Sequence, residues 1–391
     1  MVKSRIIWFL CFIIVLLLFF FSDEPFALIL LVAVIIVPIG LVLLNAILGN
    51  KIIVILKAPQ IGAKRQMLSW SLEAENEGFL PLSPVRCKVQ CKNVVTGERS
   101  SKEILFPLGT KAKRNIKLNL ESSYCGTTML SINELESYDV LGLFATKVKC
   151  DEQAEVVVLP DTFPVSLTVS THLAKDLEAD EYSQERHGSD PSETFAIREY
   201  QPGDNLRRIH WKLSNKFEEL LVKESALPVR HSFMVLLETS FKDKRAPKGD
   251  VLDALIEITL SLGQAMTNEE ITYDIGWQDY ESGSFFRSNV RNTEELTGVV
   301  NRLLHVRFQQ DENGVCNYFA DEYGENQFEH IVYVSPFLSN QLEVVSAEAR
   351  TSAIICNNGD IENAGAIEEG NLNLHFCTPL NYEKELHVLE I

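Results

Sequence analysis

"FMVLLETSFKD", Phe233 to Asp243, opens on five consecutive apolar residues and closes on a carboxylate, hydroxyls and a lysine. Apolar residues that do not alternate read as a strand buried on both faces, as in a parallel sheet covered on both sides. The next segments keep that rhythm. "DVLDALIEITLSLGQAM", Asp250 to Met266, has helical periodicity, with Leu252, Leu255, Ile256, Thr259 and Leu262 on one stripe. "ITYDIGWQ" reads as a strand. "NTEELTGVVNRLLHV" reads as a helix capped by Asn292 or Thr293, with Glu295 in its first turn. "FEHIVYVS", "SNQLEVVSAEA", "SAIICNN", "LNLHFCT" and "ELHVLEI" continue as strand, helix, strand, strand and strand. Such alternation predicts an α/β, doubly wound, largely parallel sheet.

Ligands of such sheets bind beyond the carboxyl ends of the strands. Glu238, Ser240 and Asp243 fall near that edge, and their oxygens suit a hard cation such as Mg2+ or Ca2+. Lys242 and Lys244 put positive charge where the cation would sit, which favours an ordinary strand exit with polar residues facing water. The acidic run "DENGVCNYFADEYGEN", Asp311 to Asn326, has no EF-hand spacing and reads as solvated surface. The chain holds no GxSxG, Walker-type glycine loop or HExxH, and its histidines are scattered singly.

At the other end of the chain, "IIWFLCFIIVLLLFFF", Ile6 to Phe21, and "FALILLVAVIIVPIGLVLLNAIL", Phe26 to Leu48, carry no charge. At about 1.5 Å per residue the second run spans a hydrocarbon core of roughly 30 Å. Lys3 and Arg5 resemble a signal-peptide n-region, but "FFFSDEP" offers no small-x-small cleavage site and a second apolar run comes at once. The expectation for residues 1–50 is a transmembrane hairpin with helices at about 6–22 and 26–48. Lys51, Lys57, Lys64 and Arg65 stand after it, while the turn carries only Asp23 and Glu24. The positive-inside rule then places both termini in the cytoplasm of a multi-pass protein of the cell membrane.

Residues 51–160 alternate with period two between turn signals: "KIIVILKA", "QMLSWSLEAEN", "PVRCKVQCKNV", "KEILFPL", "RNIKLNLES", "TTMLSINEL" and "EVVVLP". Short strands so spaced predict a small all-β, antiparallel sandwich. Cys87 and Cys91 stand four apart on one strand, about 13 Å, too far to bridge. They read as small core residues, and the eight cysteines show no paired framework. Residues 161–194 are a charged connector, with Gly188 and Pro191 as breakers and His187 as a solvated loop residue. A net charge of −18 argues against nucleic acid as a partner.

Between connector and sheet stands "REYQPGDNLRRIHW", Arg198 to Trp211. Pro202-Gly203 suits a type II turn, Asp204 can cap a short helical turn carrying Leu206 and Ile209, and Trp211 offers a large surface to bury. Arg198, Arg207 and Arg208 supply forked donors for carboxylates or phosphates. The stretch therefore serves either as a docking surface or as a clamp fixing a joint between domains.

With "FAIREYQPGDNLRRIHWKLSNKFEELLVKE", the chain resembles the bacterial family catalogued as domain of unknown function 58. That family's pattern is carried here by Arg198, Tyr200, Pro202, Gly203, Asp204, Arg207 or Arg208, Ile209, Trp211, Leu221, Val222 and Glu224. The two-helix start, "YDVLGLF" and "VVVLP" also match it. The resemblance implies a von Willebrand factor A-like α/β domain within residues 195–391, and association with MoxR-type AAA+ ATPases. Such a domain would bind metal through Asp-x-Ser-x-Ser, but here Glu238, Ser240 and Lys242 take those places. Ser335-Pro336 stands where an acidic residue would end a later strand. Residues and resemblance together predict a non-enzymatic, membrane-anchored interaction protein. The alternative is a metal-dependent ligand-binding or hydrolytic domain using Glu238 and Ser240.

Overall fold

The computed structural model describes residues 2–22, 25–49, 51–79, 81–139, 141–168, 187–188, 194–199, 210, 214, 221–226, 231–242, 246–323, 328–340, 342–358 and 366–390. The chain divides into two compact units. Met1–Asp161, Lys248–Ile256 and Asn301–Arg307 form the first; Thr162–Pro247, Glu257–Val300 and Phe308–Ile391 form the second.

The first unit begins with two helices, α1 (Val2–Phe21) and α2 (Pro25–Gly49). Pro25 opens α2 at a position where its missing N–H costs nothing. Within α2, Pro38 is tolerated as in other apolar spans. Both helices are long and apolar enough to cross a membrane, and Ile6, Phe9, Phe20, Ile29 and Ile36 point outward rather than into a core. The first helix starts earlier than expected and includes Lys3 and Arg5. Long basic side chains at a helix end can place their charge in water while the stem stays on the apolar surface.

Nine strands complete this part of the chain: β1 (Ile52–Lys57), β2 (Ile61–Ala63), β3 (Met67–Asn76), β4 (Leu82–Asn93), β5 (Arg99–Leu108), β6 (Lys113–Glu121), β7 (Gly126–Tyr138), β8 (Ala145–Val148) and β9 (Gln153–Leu159). They form a sheet β1-β3-β6 and a sheet β2-β9-β7-β4-β5, with β8 paired to β7. Alternate residues of both sheets meet in one core. Val54, Trp70, Leu72 and Ala74 come from the first sheet; Val85, Cys87, Val89, Leu130 and Val158 come from the second. Every expected strand is present. The pairing is antiparallel except β2 with β9, whose short parallel contact the period-two pattern did not distinguish. Cys87 and Cys91 lie in this core, and burial pushes the Cys87 thiol up to about 12. Inside the same unit, buried Lys64 holds Asp253 at 2.6 Å, and Asp253 also accepts the Cys125 N–H.

The second unit contains β10 (Ser166–Thr168), β11 (His187–Gly188), β12 (Thr194–Glu199), β13 (Leu221–Ala226), β14 (His231–Leu237), β15 (Ser240–Phe241), β16 (Tyr273–Asp279), β17 (Ser284–Val290), β18 (Gln309–Gln310), β19 (Phe328–Ser335), β20 (Arg350–Cys356), β21 (Ala366–Glu369), β22 (Leu372–Cys377) and β23 (Val388–Glu390). Its helices are α3 (Gly249–Asn268, whose first turns cluster with the first unit), α4 (Thr293–Leu303), α5 (Gly314–Tyr323), α6 (Leu342–Glu348) and α7 (Tyr382–Glu385). The main sheet has the order β17-β16-β14-β19-β20-β22-β21. β14 pairs in parallel with β16 and β19, as β20 does with β19 and β22; β17 and β21 are antiparallel edges.

Phe233 to Leu237 are all buried at the centre of that sheet, as the unbroken apolar run requires. α4 begins where expected: Asn292 Oδ1 accepts the Glu295 N–H at 2.9 Å. Several elements differ from expectation, the second edge strand β21 and the short helix α7 among them. The edge strand β17 was not anticipated. The final segment pairs in parallel with β10 rather than joining the sheet, because Ser166 donates to the His387 carbonyl and aligns the two. The acidic run is half helix: α5 buries Val315, Cys316 and Phe319, a spacing that one helical face collects while the carboxylates dominate the composition. Most of the expected connector, residues 169–186 and 189–193, lies outside the described residues.

Candidate functional site

The carboxyl end of β14 is where a parallel sheet would place a ligand. Glu238 leaves the strand with its N–H donating to Val334 O at 2.8 Å, which keeps it in register with β19. Its side chain points inward and is 1 % exposed. The Tyr333 hydroxyl donates to Oε2 at 2.8 Å, the Ser240 N–H donates to Oε1 at 3.0 Å, and the Val315 N–H reaches both oxygens at 3.1 Å. Val315 lies in the first turn of α5, so the carboxyl group occupies the N-terminus of that helix.

Burial pushes the Glu238 carboxyl above its ordinary range, opposed by the hydrogen bonds from Tyr333, Ser240 and Val315. Burial and the nearby Glu238 charge also push the Tyr333 hydroxyl and the Cys316 thiol upward. For Cys316 and Tyr333 the upward shift disfavours the thiolate and phenolate that a nucleophile would need.

A second layer surrounds Glu238. Ser240 and Phe241 pair in parallel with Gln309 and Gln310, and Asp311 N–H donates to Phe241 O. Asp311 Oδ2 accepts the hydroxyls of Tyr318 at 2.8 Å and Tyr280 at 3.1 Å. Burial raises the Asp311 carboxyl, but the Asn313 amide and the two tyrosines outweigh it and hold the group below the usual carboxylate range. Ser335 Oγ is engaged with Phe337, donating to its carbonyl and accepting its N–H. The exposed Lys242 stands with Nζ 5.1 Å from the Phe337 ring centre.

This donor set does not fit Mg2+ or Ca2+. A hard cation needs six or more oxygens. Here the oxygens of Glu238 face a hydroxyl and two amides, and burial favours the protonated acid. The Ser240 hydroxyl adds one oxygen at most. Among the described residues no three His, Cys, Asp or Glu side chains stand together as metal ligands. Asp243 lies outside the described residues.

Of the motif between the domains, Arg198 is described, in β12 opposite Val222 of β13. Tyr200, Pro202, Gly203, Asp204, Arg207, Arg208, Ile209 and Trp211 lie outside the described residues. Tyr333, Val315 and Asp311 had no sequence signal as site residues. Tyr333 sits inside an apolar strand, and Val315 acts through its backbone.

No family model matches the chain, and no functionally curated protein matches its sequence. Among solved structures, the CARDB domain of a Pyrococcus furiosus protein in complex with di-metal ions is 17% identical. It covers 28% of this chain and 87% of that one, with a TM-score of 0.21. A cohesin module from a Clostridium perfringens family 33 glycoside hydrolase is 10% identical, covering 29% of this chain and 99% of that one, with a TM-score of 0.23. The C-terminal domain of Wzt is 11% identical, covering 29% and 76%, with a TM-score of 0.24. Likenesses this partial carry no functional argument.

Proposed function

We propose that this chain is a membrane-anchored interaction protein that performs no chemistry of its own. In this reading α1 and α2 cross the cell membrane as a hairpin, with both termini in the cytoplasm. The sandwich is a stalk, and the second unit is von Willebrand factor A-like and docks a protein partner. The partner is a MoxR-type AAA+ ATPase, as the resemblance of the Arg198–Glu224 segment implies, and the process is complex assembly in the cell envelope.

The observation that carries the non-catalytic reading is the state of Glu238. The carboxylate at the ligand-binding edge of the sheet is consumed by Tyr333, Ser240 and Val315, so it holds α5 in place rather than facing a substrate. The predominantly parallel, seven-stranded order supports the von Willebrand factor A-like assignment. The outward-facing apolar side chains of both helices support the anchor.

Affinity capture of the full-length protein from detergent-solubilised membranes, mixed with a cognate MoxR-type ATPase, tests the partner. Association is expected, and its absence both with and without nucleotide overturns the assignment. Calorimetry with magnesium, manganese and calcium tests the metal-dependent alternative. The expected outcome is no binding that Glu238→Ala abolishes.

A further inference from the structure

We propose that Leu141 and Phe144, on the turn that follows β7, form a lipid-binding element: they enter the bilayer beside the helices, and Phe144 closes over a groove that takes a phospholipid acyl chain. The proposal rests on α1 and α2 being membrane spans.

The turn is built to present side chains outward. Asp139 Oδ1 accepts the Leu143 N–H at 2.7 Å, Asp139 O accepts the Gly142 N–H at 2.9 Å, and Asp139 N–H donates to Phe144 O at 3.2 Å. Gly142 supplies the left-handed conformation the turn requires, with φ of 66°. These three bonds hold the turn together and leave Leu141 43% and Phe144 49% exposed.

The turn is also fixed against the helices at a defined depth. Arg5 Nε of α1 donates to Leu143 O at 2.8 Å. Buried Asn45 of α2 donates to Ser137 O at 2.8 Å and to Thr146 Oγ1 at 3.1 Å, on the strands either side of the turn. Below these polar ties lies an apolar groove of about 390 Å³, lined by Trp8, Pro38, Ile39, Val42, Leu43 and Phe144. Trp8 stands about 4.5 Å further into the helix than Arg5, at ~1.5 Å per residue. Phe144 therefore reaches past the charged level to the depth where interfacial aromatics sit.

The groove walls identify the occupant. They are the faces of the two apolar helices themselves, so the groove is continuous with the lipid-facing surface. Exposed Arg5 is held beside Phe144 through the Leu143 carbonyl and stands one helical turn before Trp8 of the groove wall, and a guanidinium is suited to a lipid phosphate. An apolar tail beneath a phosphate matches both features.

Benzoylphenylalanine introduced at Phe144 of the full-length protein, in nanodiscs of phosphatidylethanolamine and phosphatidylglycerol, tests this by photocrosslinking and mass spectrometry. Ile36, on the outer face of α2, reports on the anchor. Ile61 is the distant control, since it pairs with Val157, and Val157 with Thr127 at the start of β7. Thr127 and Asp139 are about 40 Å apart along that strand. The expected result is a mass shift of one phospholipid at 144 and at 36, with none at 61. Adducts at 36 but not at 144, equal yield at 61, or a protein adduct at 144 overturns the lipid-binding turn and leaves the anchor standing. No lipid adduct at 36 overturns the anchor, and the turn's role with it.

Discussion

At Glu238 burial and hydrogen bonding pull the proton in opposite directions, and burial prevails. The folded carboxyl keeps its proton above its ordinary value of 4.5, so over that interval the native state binds more protons than the unfolded chain. Stability from this group is therefore full below pH 4.5 and declines as pH rises through the raised value. Glu238→Gln is expected to flatten that decline in thermal unfolding of the purified protein. Glu238→Ala should cost about 2 to 3 kcal/mol below pH 4.5, because it leaves the Tyr333 hydroxyl and the Val315 amide without their acceptor, and less as pH rises through the raised value. His330 behaves oppositely. Burial, helped by the Arg350 charge, lowers its value from 6.5 to about 4, while its ring stays 3.0 Å from Ser352 Oγ. Its contribution is present above pH 6.5 and is lost as pH falls through 4, about 3 kcal/mol in full. A His330→Gln variant whose acid unfolding midpoint stays at the wild-type pH would refute that assignment.

Elements were legible in proportion to how local their signal is. The strands of the sandwich alternate cleanly because one face meets the core and the other meets water, and α4 is announced by its Asn292 cap. Replacing Asn292 with Ala should cost about 1 kcal/mol. Denaturant unfolding measures the loss, and an unchanged midpoint would show that Thr293 or solvent does the capping. The helix α5 was obscured because three apolar positions carry its packing, inside a run from Asp311 to Asn326 that holds five acidic residues. The edge strand β17 is half exposed and takes its conformation from β16, to which Arg287 and Asn289 are tied through buried Asp274. Asn45 makes the corresponding tie between α2 and the strands β7 and β8. Asn45→Ala should accelerate hydrogen exchange at β8, since Ser137 Oγ also donates to Asn45 at 2.8 Å and would lose its acceptor.

At the scale of the whole molecule, the two apolar helices should keep the protein in the membrane fraction after alkaline carbonate washing. A reporter joined after Ile391 should be active only inside the cell. Release by carbonate, or a reporter active outside, would overturn the proposed topology. The sequence by itself determined the apolar spans, the period-two sandwich and the buried central strand, because each is written in the spacing of neighbouring side chains. Only the tertiary structure decided what Glu238 does. A carboxylate at a strand end reads alike whether it faces a cation or a helix. The partners that settle it, Tyr333 and the Val315 amide, lie ninety-five and seventy-seven residues away in the chain. The same holds for the turn at Phe144, whose "YDVLGLF" reads as an ordinary corner until Arg5 and Asn45 bring it against the helices.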